Sequence, residues 1–134
     1  DPELLRGVAR AYQKGLYFTL CNPEAATDIV LKQFPSIDVS WEGAVPVIEA
    51  RIDMSLGRTE EDREKFVYEN PIGKMYEDRW EKNVQEALNA EVISEEIPID
   101  RIYTNDFLDE NIDYDEIQEE AAAYEFQVRD QYQK

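Results

Sequence analysis

Asp109, Asn111, Asp113, Asp115 and Glu120 stand at positions one, three, five, seven and twelve of a stretch that could wrap its oxygens around a calcium ion. A loop of that kind turns at its sixth position with a positive φ, which a side chain resists and glycine accepts. The residue there is Tyr114. The ligands are present and the hinge is not, and no second hand accompanies them. The stretch therefore reads as a solvated turn leading into a helix, with Asp113 accepting the first backbone donors. No metal site is expected.

Other chemistry finds as little support. The chain has no histidine to act as a base, and its single cysteine, Cys21, falls at an expected helix end with no cation beside it. Zinc and disulfides lack their ligands. With 31 acidic residues some carboxylates always lie close together, so a pair of them carries no information about general acid and base work. Five scattered glycines form no phosphate-cradling loop. The expectation is a protein that is not an enzyme and carries no cofactor.

The formal net charge of −17 is unevenly distributed over the 134 residues. Residues 1–58 carry 8 acids against 6 bases, residues 59–90 carry 9 against 5, and residues 91–134 carry 14 against 3. Such a balance repels phosphate backbones and anionic lipid, so neither nucleic acid nor a membrane surface is an expected partner. No apolar run approaches the length of a membrane helix. An apolar content of 43% is ample for one folded domain.

The elements that would position these residues are helices. Asp1-Pro2-Glu3 is a helix start, with a capping acid, a proline at the first position and an acid facing the dipole. A chain that opens on such a cap is expected to belong to a longer parent. The first helix should run from Pro2 to Leu20, with Leu5, Val8, Tyr12 and Leu16 facing inward. Gly7, Ala11 and Gly15, spaced by four, would let another backbone approach it closely. Asn22-Pro23-Glu24 repeats the start, and the second helix should bury Ala26, Ile29, Val30 and Phe34 before Pro35 stops it.

A third helix is expected over Val45–Leu56, with Val45, Ile48, Ile52 and Leu56 on one face and Gly57 ending it. Thr59 and Asp62 suggest a cap for a polar fourth helix through Tyr68, and Asn70-Pro71-Ile72-Gly73 a loop. The fifth helix, Tyr76–Ala90, presents Trp80, Val84, Ala87 and Leu88 together. Asp113 caps a last helix with a stripe of Tyr114, Ile117, Ala121, Tyr124 and Val128, its acids on the solvated side. Ile97–Tyr103 comes nearest to a strand, and Pro98 argues against it. The fold class is all-α, about six amphipathic helices, which could also be the helical part of an α/β protein. Trp41, Trp80, Tyr103 and Phe107 are expected as packing anchors.

The segments also follow a familiar order. The runs Asp1-Pro2-Glu3-Leu4-Leu5-Arg6 and Asn22-Pro23-Glu24-Ala25-Ala26 come first. Trp80 then leads to Val92-Ile93, and Ile99-Asp100-Arg101-Ile102-Tyr103-Thr104-Asn105-Asp106-Phe107-Leu108 follows. In this the chain resembles the C-terminal segment of bacterial solute-binding proteins of ABC importers, in the nitrate, sulfonate, taurine and thiamine-precursor branch. The resemblance covers residues 1–108; the acidic turn and helix at 109–134 lie beyond it and are assigned to the same domain.

That resemblance implies a type 2 periplasmic binding protein fold, in which two α/β lobes close on a small molecule, with helices such as these packed on one lobe. It implies a small-molecule solute and an ABC permease as partners of the full-length parent. It also implies a periplasmic location, or an extracellular one on a lipid anchor. The family's ligand contacts come mainly from regions ahead of the matching segment, so no ligand-binding residue transfers to a position here. Fungal enzymes of the thiamine-precursor branch use a histidine and a cysteine cluster, and this stretch has neither. The alternative is a freestanding acidic helical module for protein–protein interaction. Helices meant to cover a lobe would also lead the isolated chain to self-associate.

Overall fold

Four of the five described α-helices begin where a side chain takes up backbone donors that a first turn leaves unpaired; the one at Glu77 has no such side-chain cap. The computed structural model describes residues 1–56 and 72–127. Helix α1 (Pro2–Cys21) starts behind Asp1, which accepts from the Glu3 and Leu4 N–H groups at 3.0 and 3.5 Å. Helix α2 (Pro23–Gln33) starts behind Asn22, which accepts from the Ala25 N–H at 2.9 Å. Helix α3 (Trp41–Leu56) follows Ser40, whose hydroxyl accepts from the Gly43 N–H at 3.3 Å. After α4 (Glu77–Asn89) and a 3-10 turn (Ile99–Arg101) comes α5 (Tyr114–Ala122), where Asp113 accepts from the Glu116 N–H at 3.0 Å.

The class is all-α, with no strand among the described residues. The fourth helix expected at Thr59–Tyr68 lies outside those residues, as do Gly57 and Val128. The segment nearest to a strand becomes a loop and the 3-10 turn behind Pro98. Helix α3 begins four residues before the expected Val45 and carries Pro46 inside it. The anchor of that early start is Trp41, which is buried and meets Phe126 edge-on at 6.2 Å.

Helix α1 is the hub, packed against α5 and α2; α3 packs on α2, and α4 on the 3-10 turn. Tyr17, Ile72, Ile112 and Ile117 form the core cluster, with Tyr17 edge-on to Tyr114 at 4.6 Å. Gly73 holds a φ of +90° in the turn after Ile72, a conformation that favours glycine, and its α-carbon faces Leu108. Helix α4 buries Val84 and half-buries Trp80, Ala87 and Leu88, as the periodicity predicts. It ends in a Schellman motif: the Val92 N–H donates to the Ala87 carbonyl at 2.9 Å and the Glu91 N–H to the Leu88 carbonyl at 3.0 Å. Glu91 takes the left-handed position with a φ of 55°.

Three faces differ from expectation. In α1 the buried residues are Gln13 and Tyr17, whereas Leu5, Val8 and Tyr12 are 49, 60 and 65% exposed. The first half of the stripe therefore points outward, while Leu16, Phe18 and Leu20 pack on the core cluster around Tyr17. Among the described residues nothing lies within 4 Å of where a β-carbon would stand on Gly7 or Gly15, and none of them supplies the expected close backbone. In α2 the buried set is Ala25, Ala26, Thr27, Asp28 and Leu31, and Val30 and Phe34 are exposed. In α5, Ile117 and Ala121 are buried as expected, but the helix stops at Ala122 and Tyr124 lies beyond it. The Tyr124 hydroxyl donates to Asp28 at 2.9 Å, a tertiary bond in place of another helical turn.

Candidate functional site

The stretch from Tyr103 to Asp113 runs across the helices as a strap, held by one tie after another. Tyr103 stacks on Trp80 with ring centroids 6.0 Å apart and 26° between planes. Asn105 pairs with both backbone groups of Met75, accepting from its N–H at 3.0 Å and donating to its carbonyl at 2.9 Å. Phe107 lies under the Arg6 guanidinium at 5.8 Å. Gln13, fully buried in α1, does for Asp109 what Asn105 does for Met75. It accepts from the Asp109 N–H at 2.9 Å and donates to the Asp109 carbonyl at 3.2 Å. A side-chain amide has one donor and one acceptor side, so each pairing leaves neither backbone group unsatisfied.

The same backbone path bears on the calcium-loop spacing of residues 109–120. The Asp109 carboxylate is engaged by Arg10 at 3.1 Å and by the Asn111 N–H at 2.8 Å. Asp113 is the cap of α5, so Asp115 and Glu120 lie on a straight helix and are exposed there. A helix spreads these carboxylates along its axis and around its circumference, whereas a calcium loop folds them onto one point. Among the described residues no group of three or more acidic, histidine or cysteine side chains is placed to share a metal ion.

A second knot closes the chain near residue 127. Asp28, buried in α2, accepts from the Tyr124 hydroxyl and from the Gln127 N–H, both at 2.9 Å. Around it Phe18, Tyr124, Phe126 and Trp41 meet edge-on, with centroids 5.4 to 6.2 Å apart. Burial, then the hydrogen bond to Asp28, then its charge push the Tyr124 phenol up to about 12. Asn22 ties this end to the joint of α1 and α2, donating to the Ala121 carbonyl at 2.8 Å.

Activated groups are not what these surroundings produce. The Cys21 residue is exposed, yet its sulfur is partly enclosed; burial pushes the thiol up, and a hydrogen bond with Tyr17 opposes that. Burial raises Tyr103, followed by repulsion from Glu77, Asp78 and Glu81. Both shifts favour the neutral, unreactive form.

Among the described residues a cleft of about 490 Å³ is lined by the loop from Pro35 to Ser40, and two more lie between helices. One, of about 350 Å³, lies among α1, α2 and α5, bounded by Gly15, Phe18, Ala26, Val30 and Ile117, with Lys14 and Glu120 also lining it. The other, of about 210 Å³, lies between α2 and α3 and is lined by Val30, Leu31, Ile37, Val39, Val47 and Ile48, among others. Neither converges several polar groups on one point, as an oriented small-molecule site does.

Of the residues singled out in the sequence, Trp41 packs in the core, Trp80 and Tyr103 stack on each other, and Phe107 meets Arg6. Gln13 and Asp28 were not anticipated. The available signal was a lone polar side chain four residues from Tyr17, and a lone acid inside the run Ala25-Ala26-Thr27-Asp28-Ile29-Val30-Leu31. No known protein family matches the chain, and comparison with curated proteins and with solved structures found no match to either.

Proposed function

We propose that this chain is the helical C-terminal part of a solute-binding protein that delivers a small solute to an ABC importer. What carries the reading is the order of segments, from the two capped helix starts through Trp80 to the Tyr103–Leu108 strap. The exposed apolar face of α1 supports it, since a helix that covers an α/β lobe keeps such a face for the lobe. The capture chemistry would belong to the lobes of the parent, and the role of this part would be to complete and brace one of them.

The test is a pair of isothermal titrations against nitrate, taurine, an alkylsulfonate and a thiamine precursor. The full-length parent should bind one of them saturably, and the 134-residue chain none. A reading frame with no lobe-coding sequence ahead of Asp1 would overturn the proposal. It would favour the second reading, a freestanding acidic interaction module. The observation behind that alternative is the net charge of −17, which suits a basic partner.

A further inference from the structure

The outer face of α1 carries Leu4, Val8 and Tyr12, which are 65, 60 and 65% exposed. Ala11 and Gly15 share that face, with Gly7 at its edge, at about 100° of turn per residue. Between Leu4 and Thr19 the face holds no charged side chain. Large and small residues therefore alternate along one open seam. The order of that alternation is what identifies an occupant.

We propose that the seam is covered by α1 of a second copy of this chain, running antiparallel about a two-fold axis between Val8 and Ala11. In that register Leu4 of each copy faces Gly15 of the other and Val8 faces Ala11, while Tyr12 lies along one edge of the seam. Along the centre of the seam each large side chain meets a small one, and the two patches are identical, as a two-fold interface requires. The open space at Gly15, where no described residue stands within 4 Å of an added β-carbon, receives Leu4 of the second copy. Gly15 also borders the cleft of about 350 Å³, so Leu4 of the second copy enters a cavity lined by Phe18, Ala26 and Val30.

Charge fits the same register. Glu3 and Lys14 lie on one flank of the seam, eleven residues apart on their own helix and out of reach of each other. Antiparallel pairing brings Glu3 of each copy alongside Lys14 of the other. The four large side chains Leu4, Leu5, Val8 and Tyr12 would bury roughly 500 Å² per copy, and the cleft walls would bring the interface toward the about 800 Å² per partner of a specific dimer. This is a small interface, and dissociation in the micromolar range follows. The pairing concerns the chain when nothing else covers the seam, and does not depend on the solute-binding reading.

Sedimentation equilibrium from about 10 to about 500 µM tests it, a range that brackets micromolar dissociation. The mass should climb from 15.7 kDa toward twice that value. Gly15→Leu should weaken association at least about tenfold by filling the space meant for Leu4. It should not lower helicity or melting of the monomer, since a β-carbon there meets no described residue within 4 Å and leucine is the better helix former. Glu3→Lys and Lys14→Glu should each weaken the dimer, and the double exchange should restore it. A mass fixed at 15.7 kDa throughout, a dimer indifferent to Gly15→Leu, or a double exchange that fails to rescue would each overturn the proposal.

Discussion

Replacing Gln13 by leucine should be far more damaging than removing the side chain of its partner, Asp109. Gln13 is fully buried and pairs with the backbone of Asp109 through two hydrogen bonds, of 2.9 and 3.2 Å. Leucine fills a similar volume and offers neither a donor nor an acceptor. Two bonds worth about 0.5–1.5 kcal/mol each are lost, and each backbone group left without a partner costs about 1–3 kcal/mol where water cannot reach it. The strap is only part-buried, so water relieves some of that penalty, and the expected total is about 2–4 kcal/mol. Asp109→Ala keeps both backbone bonds. It removes one partly exposed ion pair with Arg10, about 0.2–1 kcal/mol, and the bond from Asn111. About 1–2 kcal/mol should follow. Urea unfolding followed by far-UV circular dichroism gives both numbers, and hydrogen exchange at the Asp109 amide reports the tie itself. If Asp109→Ala costs as much as Gln13→Leu, or the Asp109 amide stays protected in Gln13→Leu, the strap is not held in the way described.

Tyr124 sets an alkaline limit. Its folded value of about 12 lies above the ordinary 10, so its contribution is intact below pH 10 and is lost as pH rises through about 12. In that window Tyr124→Phe should flatten the fall in melting temperature that the native chain shows. Glu91→Gly should stabilise the chain by up to about 1 kcal/mol in urea unfolding, because the left-handed C′ position of α4 disfavours a side chain. A loss of stability would mean that the Glu91 side chain makes a contact worth more than the strain. Millimolar calcium and magnesium at equal ionic strength should raise the melting temperature alike, by screening a net charge of −17. Saturable calcium binding abolished by Glu120→Gln would restore the metal reading of residues 109–120.

Helix starts were legible in the sequence because a cap is a local device. Asp1, Asn22 and Asp113 each accept the backbone donors two or three residues ahead, and no distant part of the chain is needed. The amphipathic stripe of α4 was legible for a related reason: one apolar face, with Val84 at its centre, had one neighbour to meet. The orientation of α1 was not. Periodicity shows that Leu5, Val8 and Tyr12 share a face, but not that this face turns inward. Tyr17, which packs on Tyr114, decided that together with Gln13, Arg6 and Arg10, which bind the backbone of Asp109, the ring of Phe107 and the carboxylate of Asp109. Their partners lie about a hundred residues away, at a separation no local pattern encodes. Asp28 is the same case, since its partners Tyr124 and Gln127 are recognisable only once the chain has turned back on α2.

The strap's dependence on amides follows from the charge of the chain. Residues 91–134 carry 14 acids and 3 bases, so a segment drawn from them approaches the rest of an already acidic molecule against repulsion. Ion pairs could offset that only by spending some of the 14 basic residues, and exposed pairs contribute little and weaken with salt. A neutral amide that engages both backbone groups of one residue adds no charge and has no titration to lose. Gln13, Asn105 and Asn22 are placed where α1, the turn at Met75 and the end of α5 must each hold a piece of backbone. The two arginines that face the strap, Arg6 and Arg10, then act at its rim, on Phe107 and Asp109, where the amides have already set the register. Acidity can therefore accumulate on the strap and on α5 without loosening what holds them, and the apolar face of α1 stays on the opposite side.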